Sequence, residues 1–219
     1  KLKPEHFYDP AHARIYAAMP DVELVGVAGV NEKAAKEIAE LHGCRAYTDV
    51  RDLIGNVDAI SIVVPTVYHS EVARPFLEKG VHMLMEKPIA PTYEESAELV
   101  KLAERAGVIF QVGHLERFNA GVMALAARVQ NPRFIEVHRI GPFVARATDV
   151  DVVTDLMIHD IDIVLSLVRS DIRNVAATGI HVLTDHVDIA NARIEFENGA
   201  VANVTASRVS NKKLRRIRV

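Results

Sequence analysis

The run His82-Met-Leu-Met-Glu86-Lys87-Pro88 ends a short apolar segment abruptly in an acid, a base and a proline. Met83, Leu84 and Met85 read as a strand buried on both faces, the mark of a parallel sheet flanked by helices. Ligands of such sheets bind beyond the carboxyl ends of the strands, so Glu86 and Lys87 are delivered to where a substrate would lie. A second constellation stands in Asp155-Leu-Met-Ile-His159-Asp160-Ile-Asp162. Asp155 and His159, four apart, share one helical face, where the carboxylate can fix the imidazole tautomer and stabilise its protonated form. That is how a general base is built. Three acids and a histidine could instead hold a divalent metal, but Asp160 points away from the Asp155/His159 face, so no metal site is assigned. Idle surface ion pairs, which contribute little, are the plainer alternative for both motifs.

These groups need elements that bring them to one place. Residues 1–10 carry two prolines and read as irregular, and 11–19 as a helix. An apolar strand follows at 22–30, then Asn31 as N-cap of a helix over 32–42 with Gly43 as its stop. A short strand at 45–48 and a short helix at 49–54 precede the β-branched run 57–64, a central strand. A helix over 66–79 ends at Gly80, and Thr92 with Glu95 forms a capping box for a helix reaching Gly107. A strand at 108–113 and a helix at 118–130 complete the series. Strand and helix thus alternate at βαβ spacing through residues 1–131, which specifies an α/β fold with a Rossmann-type, doubly wound parallel sheet. Right-handed crossovers gather the strand ends at one rim. That rim collects Pro65, Thr66 and His69, then Glu86 and Lys87, then His114, Glu116, Arg117 and Asn119.

From residue 132 the pattern changes. Residues 133–140 alternate like a strand, 155–168 are helical, and 172–183, 187–197 and 200–209 are long strands. Asn198-Gly199 between the last two is a strong hairpin signal. A further strand begins at 212. Residues 132–219 therefore form an α+β domain with a large, mostly antiparallel sheet.

The bulk properties narrow the function classes. A formal charge of −3, with no basic cluster before the last eight residues, argues against a nucleic-acid surface. A single cysteine, Cys44, rules out a disulfide within these residues and fits a reducing compartment. No apolar run approaches membrane-spanning length and no signal-peptide pattern opens the chain. The expectation is a soluble cytoplasmic protein with no membrane or nucleic-acid partner.

Glu86-Lys87-Pro88 in a nucleotide-binding domain, followed by Asp155-x-x-x-His159 on the helix of an antiparallel second domain, resembles the Gfo/Idh/MocA oxidoreductases. Gly113-His114-Leu-Glu-Arg-Phe-Asn119, the run 153–162 and Asp188-Ile-Ala-Asn-Ala-Arg193 look most like the branch that oxidises the 3-hydroxyl of UDP-N-acetylglucosamine or its uronate. The resemblance implies NAD, or NADP, as hydride acceptor from a nucleotide sugar. It implies His159 as base, Asp155 as its orienting partner, and Lys87 as the group that binds the reacting oxygen and stabilises charge there. The base role can be argued for Lys87 or His159; a histidine near ~6.5 needs less tuning than a lysine near ~10.4, which favours His159. Asn31, Pro65, Thr66, His69, Glu86 and Lys87 would meet the cofactor, and His114, Glu116, Arg117 and Asn119 the substrate. The resemblance also implies a cis bond between Lys87 and Pro88.

The departures from the family are specific. No Gly-x-Gly-x-x-Gly exists in the chain; Phe7-Tyr-Asp-Pro-Ala11 stands where it should precede His12, and an apolar first strand is missing. Gly29 replaces the ribose-binding acid, leaving Asn31 nearby. The last strand is cut short, so the sequence looks like part of a longer polypeptide. Three readings follow: a nucleotide-sugar dehydrogenase, another sugar or polyol dehydrogenase of the same fold, or an inactive binding or assembly homologue. A homodimer or homotetramer is expected, joined through an apolar open sheet face containing Ile180, Val182, Ile189, Ala192, Ile194, Val201 and Val204.

Overall fold

The computed structural model describes residues 19–144 and 150–219. The segments expected to be irregular at 1–10 and helical at 11–19 lie outside the described residues, apart from Met19. The chain divides into two compact units, 1–113 and 114–219.

In the first unit, β1 (Gly26–Ala28), α1 (Glu32–His42) and β2 (Arg45–Tyr47) lead through a 3-10 turn at Val50–Leu53 to β3 (Ala59–Ile62). A second 3-10 turn, Thr66–Tyr68, opens α2 (His69–Glu78), followed by β4 (His82–Met85), α3 (Tyr93–Ala106) and β5 (Phe110–Val112). Every strand pair is parallel: β1 with β2, and separately β3 with β4 and β4 with β5. The single sheet expected from the sequence is thus two parallel pieces, because no strand among the described residues pairs with both. The caps fall where expected. Asn31 accepts from Ala34 N–H at 3.2 Å, and Gly43, at φ 66°, closes α1 in a left-handed turn that glycine adopts without strain. Thr92 Oγ1 accepts from Glu95 N–H at 3.2 Å and donates to the Glu95 carboxylate at 3.0 Å. One core joins Ile62, Met83 and Met85 of the sheet to Phe76 and Leu77 of α2 and Leu99 and Ala103 of α3. The strand expected at 22–30 is only three residues long; Val22 and Val30 are exposed and, among the described residues, find no partner strand to extend it.

In the second unit a 3-10 turn (Leu115–Phe118) and α4 (Ala120–Ala126) precede β6 (Phe134–Ile140). A π-helical turn (Val153–Met157) runs into α5 (Ile158–Val168), followed by β7 (Ile172–Ile180), β8 (Ile189–Phe196), β9 (Val201–Ser207) and β10 (Leu214–Arg218). The sheet order is β10-β6-β9-β8-β7, antiparallel except where β6 runs parallel to β9. The hairpin at Asn198-Gly199 forms as expected, with Gly199 at φ 82° and Phe196 N–H donating to Ala200 O at 3.0 Å. By packing, the units part at Gly113 and His114 rather than at 131–132. Val122 of α4 is buried in the second core, and Arg117 is ion-paired to Asp162 of α5.

The register corrects the expected open apolar face in part. Ala192, Ile194 and Val204 lie on the covered face with Ile135 and Val137, packed against Ile163, Val164 and Leu167 of α5. The other face carries Ile180, Ile189 and Val201 as expected, set among Glu136, Asn203, Thr205, Asn191, Arg193 and Glu195, with Asn191 donating to Thr205 and Arg193 to Glu195. Period-two alternation is cleaner here than it reads in the sequence. A charge at position 194 would therefore disrupt the core, where Ile194 is 3% exposed.

Candidate functional site

In the first unit, Ile62, Met85 and Val112 end β3, β4 and β5 in register. The ladder runs one step further through Glu86 N–H to Ile62 O at 3.0 Å and Gly113 N–H to Met85 O at 2.7 Å. Pro65, Thr66, Glu86 and Lys87 thus share the carboxyl-end rim, where parallel sheets bind ligands. The Lys87–Pro88 bond is cis, as expected. Gly113 lies close under its neighbour: a Cβ there would lie 3.0 Å from Glu86 Oε1, so the missing side chain leaves room for the carboxylate as it stands. Asn31 sits at the end of β1 with its oxygen used as the α1 cap, which leaves its amide hydrogens for a ligand. Among the described residues, a Cβ at Gly29 would meet nothing within 4 Å. An open hollow lined by Asn56, Asp58, Lys79 and His82 lies at the amino ends of β3 and β4, away from this rim.

His69 does not take the place expected of it. Its ring is 1% exposed, with Nε2 at 2.8 Å from Val64 O and Nδ1 at 2.9 and 3.1 Å from Pro88 O and Ile89 O. Both nitrogens are occupied by backbone, so direct cofactor contact through the ring is withdrawn.

In the second unit, Asp151 starts the helix by accepting from Val153 N–H and Thr154 N–H, both at 2.9 Å. Asp155 falls in the π turn and His159 one turn later; both are partly buried. Single π turns recur at functional sites because they re-aim side chains. Asp160 and Asp162 face elsewhere. Asp160 is 1% exposed and takes hydrogen bonds from Arg139 Nε at 2.9 and 3.0 Å and Nη2 at 2.7 Å. Burial pushes the Asp160 carboxyl up, and the Arg139 guanidinium offsets part of that. Asp162 receives Arg117 Nε and Nη2, each at 2.6 Å, with His114 Nδ1 at 3.8 Å.

Three expected substrate residues are therefore gathered at α5, and two of them are ion-paired there. Arg117 is spent on Asp162, and Glu116 pairs with Arg139 at 3.3 Å and Arg215 at 3.2 Å. His114 keeps a buried Nδ1 with no hydrogen-bond partner among the described residues. Asn119 caps α4 through Gly121 N–H at 2.9 Å. Glu116 and Arg117 thus hold α5 in place before they can bind anything else.

Asp188 opens one of the runs that carry the resemblance, but the sequence assigns it no role, and Arg208 stands in no motif. Asp188, fully buried, accepts from Leu183 N–H at 2.7 Å, Val182 N–H at 2.9 Å, Thr184 N–H at 3.0 Å and Arg208 Nε at 2.7 Å. Arg208 Nη1 also donates to Val150 O at 2.8 Å, and Val152 N–H to Val187 O at 2.8 Å, tying this knot to the approach of the Asp155/His159 helix. Burial alone would raise the Asp188 carboxyl. The Leu183 N–H, Arg208, and the Val182 and Thr184 N–H groups outweigh it and hold the group far below the usual carboxylate range. A carboxyl lowered on folding contributes stability that is complete above its unfolded value of about 3.9 and is lost as pH falls towards the folded value. Asp188→Asn is therefore expected to cost about 3 kcal/mol at neutral pH. That penalty should shrink below a pH of about 4, which urea melts across pH would show; a pH-independent cost would contradict this account.

Two family models match the chain. "Oxidoreductase family, NAD-binding Rossmann fold" covers residues 7–114, and "GFO/IDH/MocA C-terminal domain" covers residues 122–219. UDP-N-acetylglucosamine 3-dehydrogenase of Acidithiobacillus ferrooxidans is 40% identical over 209 residues, 95% of this chain and 66% of that protein. Its solved structure superposes with a TM-score of 0.88, covering 95% of this chain and 69% of the other. The scyllo-inositol 2-dehydrogenase (NAD(+)) of Bacillus subtilis is 28% identical over 91% of this chain and 64% of its own length. GenD2 from gentamicin A biosynthesis, solved in complex with NAD, shares the fold at 20% identity and a TM-score of 0.83, covering 95% of this chain and 64% of that one. The chain thus spans slightly under two thirds of the length of the two curated relatives. Among the described residues no helix is long and apolar enough to cross a membrane.

Proposed function

This chain belongs to the Gfo/Idh/MocA oxidoreductase family, and from that premise we propose that it serves an NAD-dependent dehydrogenase oxidising C3 of a UDP-N-acetylhexosamine. The observation that carries the reading is the 40% identity to a UDP-N-acetylglucosamine 3-dehydrogenase across 95% of the chain. The rim residues fit a nicotinamide dinucleotide. Among the described residues Gly29 leaves open space, Asn31 offers amide hydrogens to a ribose, and Pro65, Thr66 and Glu86 line the strand ends. A nicotinamide, when bound, supplies the hydride acceptor.

The chain's own residues do the rest. The Lys87 ammonium binds the sugar oxygen and stabilises the negative charge that develops as its proton leaves. His159 takes that proton, and Asp155, one turn earlier, orients the ring and favours its protonated form. Neither role can pass to Asp160 or Asp162, whose carboxylates are held by Arg139 and Arg117.

The inositol dehydrogenase relative motivates a second reading, a polyol substrate. Initial rates with NAD on UDP-N-acetylglucosamine, UDP-glucose, myo-inositol and scyllo-inositol separate the two. The expected result is the highest kcat/KM with UDP-N-acetylglucosamine. Preference for an inositol would overturn the substrate, and no reduction of NAD with any of them would overturn the activity.

A further inference from the structure

We propose that His69 is a positioning residue for Lys87, the clamp that fixes the turn presenting the lysine. The proposal rests on the assignment of Lys87 to the substrate oxygen and adds to it the question of what aims that side chain. His69 is the first residue of α2, and its ring lies between two strand ends. On one side Nε2 is 2.8 Å from Val64 O, just past the end of β3. On the other, Nδ1 is 2.9 Å from Pro88 O and 3.1 Å from Ile89 O, the two residues that follow Lys87. The ring is 1% exposed, so water does not compete for these contacts.

All three partners are carbonyl oxygens, which only accept, so the ring ties both loops when both of its nitrogens carry hydrogen and donate. Lys87 is held from before by the strand pairing of β4, through Glu86 N–H to Ile62 O, and from after by His69. A loop fixed on only one side would let the ammonium wander, and a misplacement of about 1 Å can cost on the order of 100-fold in rate. A polar ring buried this deeply is costly without partners, which is why a purely space-filling role fits it poorly. His69 touches neither substrate nor cofactor; it acts through Lys87.

The test compares His69→Phe, which keeps a ring and the packing, with His69→Gln, which keeps a donor. The first readout is the rate of Lys87 acetylation by a mild amine reagent, followed by peptide mass spectrometry, with Lys79 and Lys101 as internal references. The second is kcat against KM for the UDP-sugar, beside NAD affinity from fluorescence titration. Expected for His69→Phe are faster labelling of Lys87 alone and a kcat lower by roughly 100-fold, with NAD affinity unchanged. His69→Gln should fall between Phe and the natural residue. Unchanged relative labelling of Lys87 in a folded variant would overturn the proposal, as would failure of both variants to fold, which would mark the ring as structural only. If the protein oxidises no sugar, the Proposed function fails and the labelling still decides whether His69 aims Lys87.

Discussion

Lys87→Ala is expected to lower turnover by about 100-fold or more, the usual cost of losing one group that stabilises charge in the transition state, while NAD affinity stays nearly unchanged. The reason is placement. Lys87 stands two residues past the in-register end of β4, between the Glu86 carboxylate that fills the gap over Gly113 and the cis bond to Pro88. Its ammonium is a compact charge suited to a single oxygen, so Lys87→Arg should not restore the rate. Steady-state kinetics with a parallel cofactor titration would check this. A loss confined to cofactor affinity would move Lys87 from substrate to cofactor, and no loss at all would reduce Glu86-Lys87 to a surface pair.

The second large effect is on stability. Arg139→Leu should destabilise the second unit by about 3–5 kcal/mol, because it leaves the Asp160 carboxylate buried without its cation. Arg139 occupies an inward position of β6, two residues beyond Val137 and four beyond Ile135, and is 6% exposed. The double change Arg139→Leu with Asp160→Leu should recover most of that loss, since apolar side chains of similar size can replace a buried ion pair at little cost. Urea denaturation of the two single variants and the double variant measures the coupling. Additive losses would show that the pair is not what holds α5 to the sheet.

Much of this arrangement is legible from residue patterns. The cap at Asn31, the box at Thr92 and Glu95, and the turn at Asn198-Gly199 are local signals, and local chemistry decides them. The strand run ending in Glu86-Lys87-Pro88 is equally local. The long-range partners are not. His69 looked like a rim residue because it follows a strand, but ring orientation depends on carbonyls 19 and 20 residues away. Glu116 and Arg117 looked free for substrate because their partners, Arg139 and Asp162, lie in other elements. One clue was available: an arginine on the inward side of an alternating strand, as at 139, demands a buried carboxylate. The faces of β8 and β9 were misassigned because Ala, Val and Ile stand on both sides of the alternation, and only the register with β6 separates them. The knot at Asp188 depends on three successive backbone N–H groups turning toward one carboxylate, which no side-chain pattern announces.

The most direct test of the central claim follows the hydride itself. The protein would be incubated with NAD and UDP-N-acetylglucosamine carrying deuterium only at C3, and both products weighed by mass spectrometry. The account predicts one deuterium on each reduced nicotinamide and an equal amount of unlabelled 3-keto sugar. Reduced cofactor without deuterium, or a keto sugar that retains it, would contradict oxidation at C3.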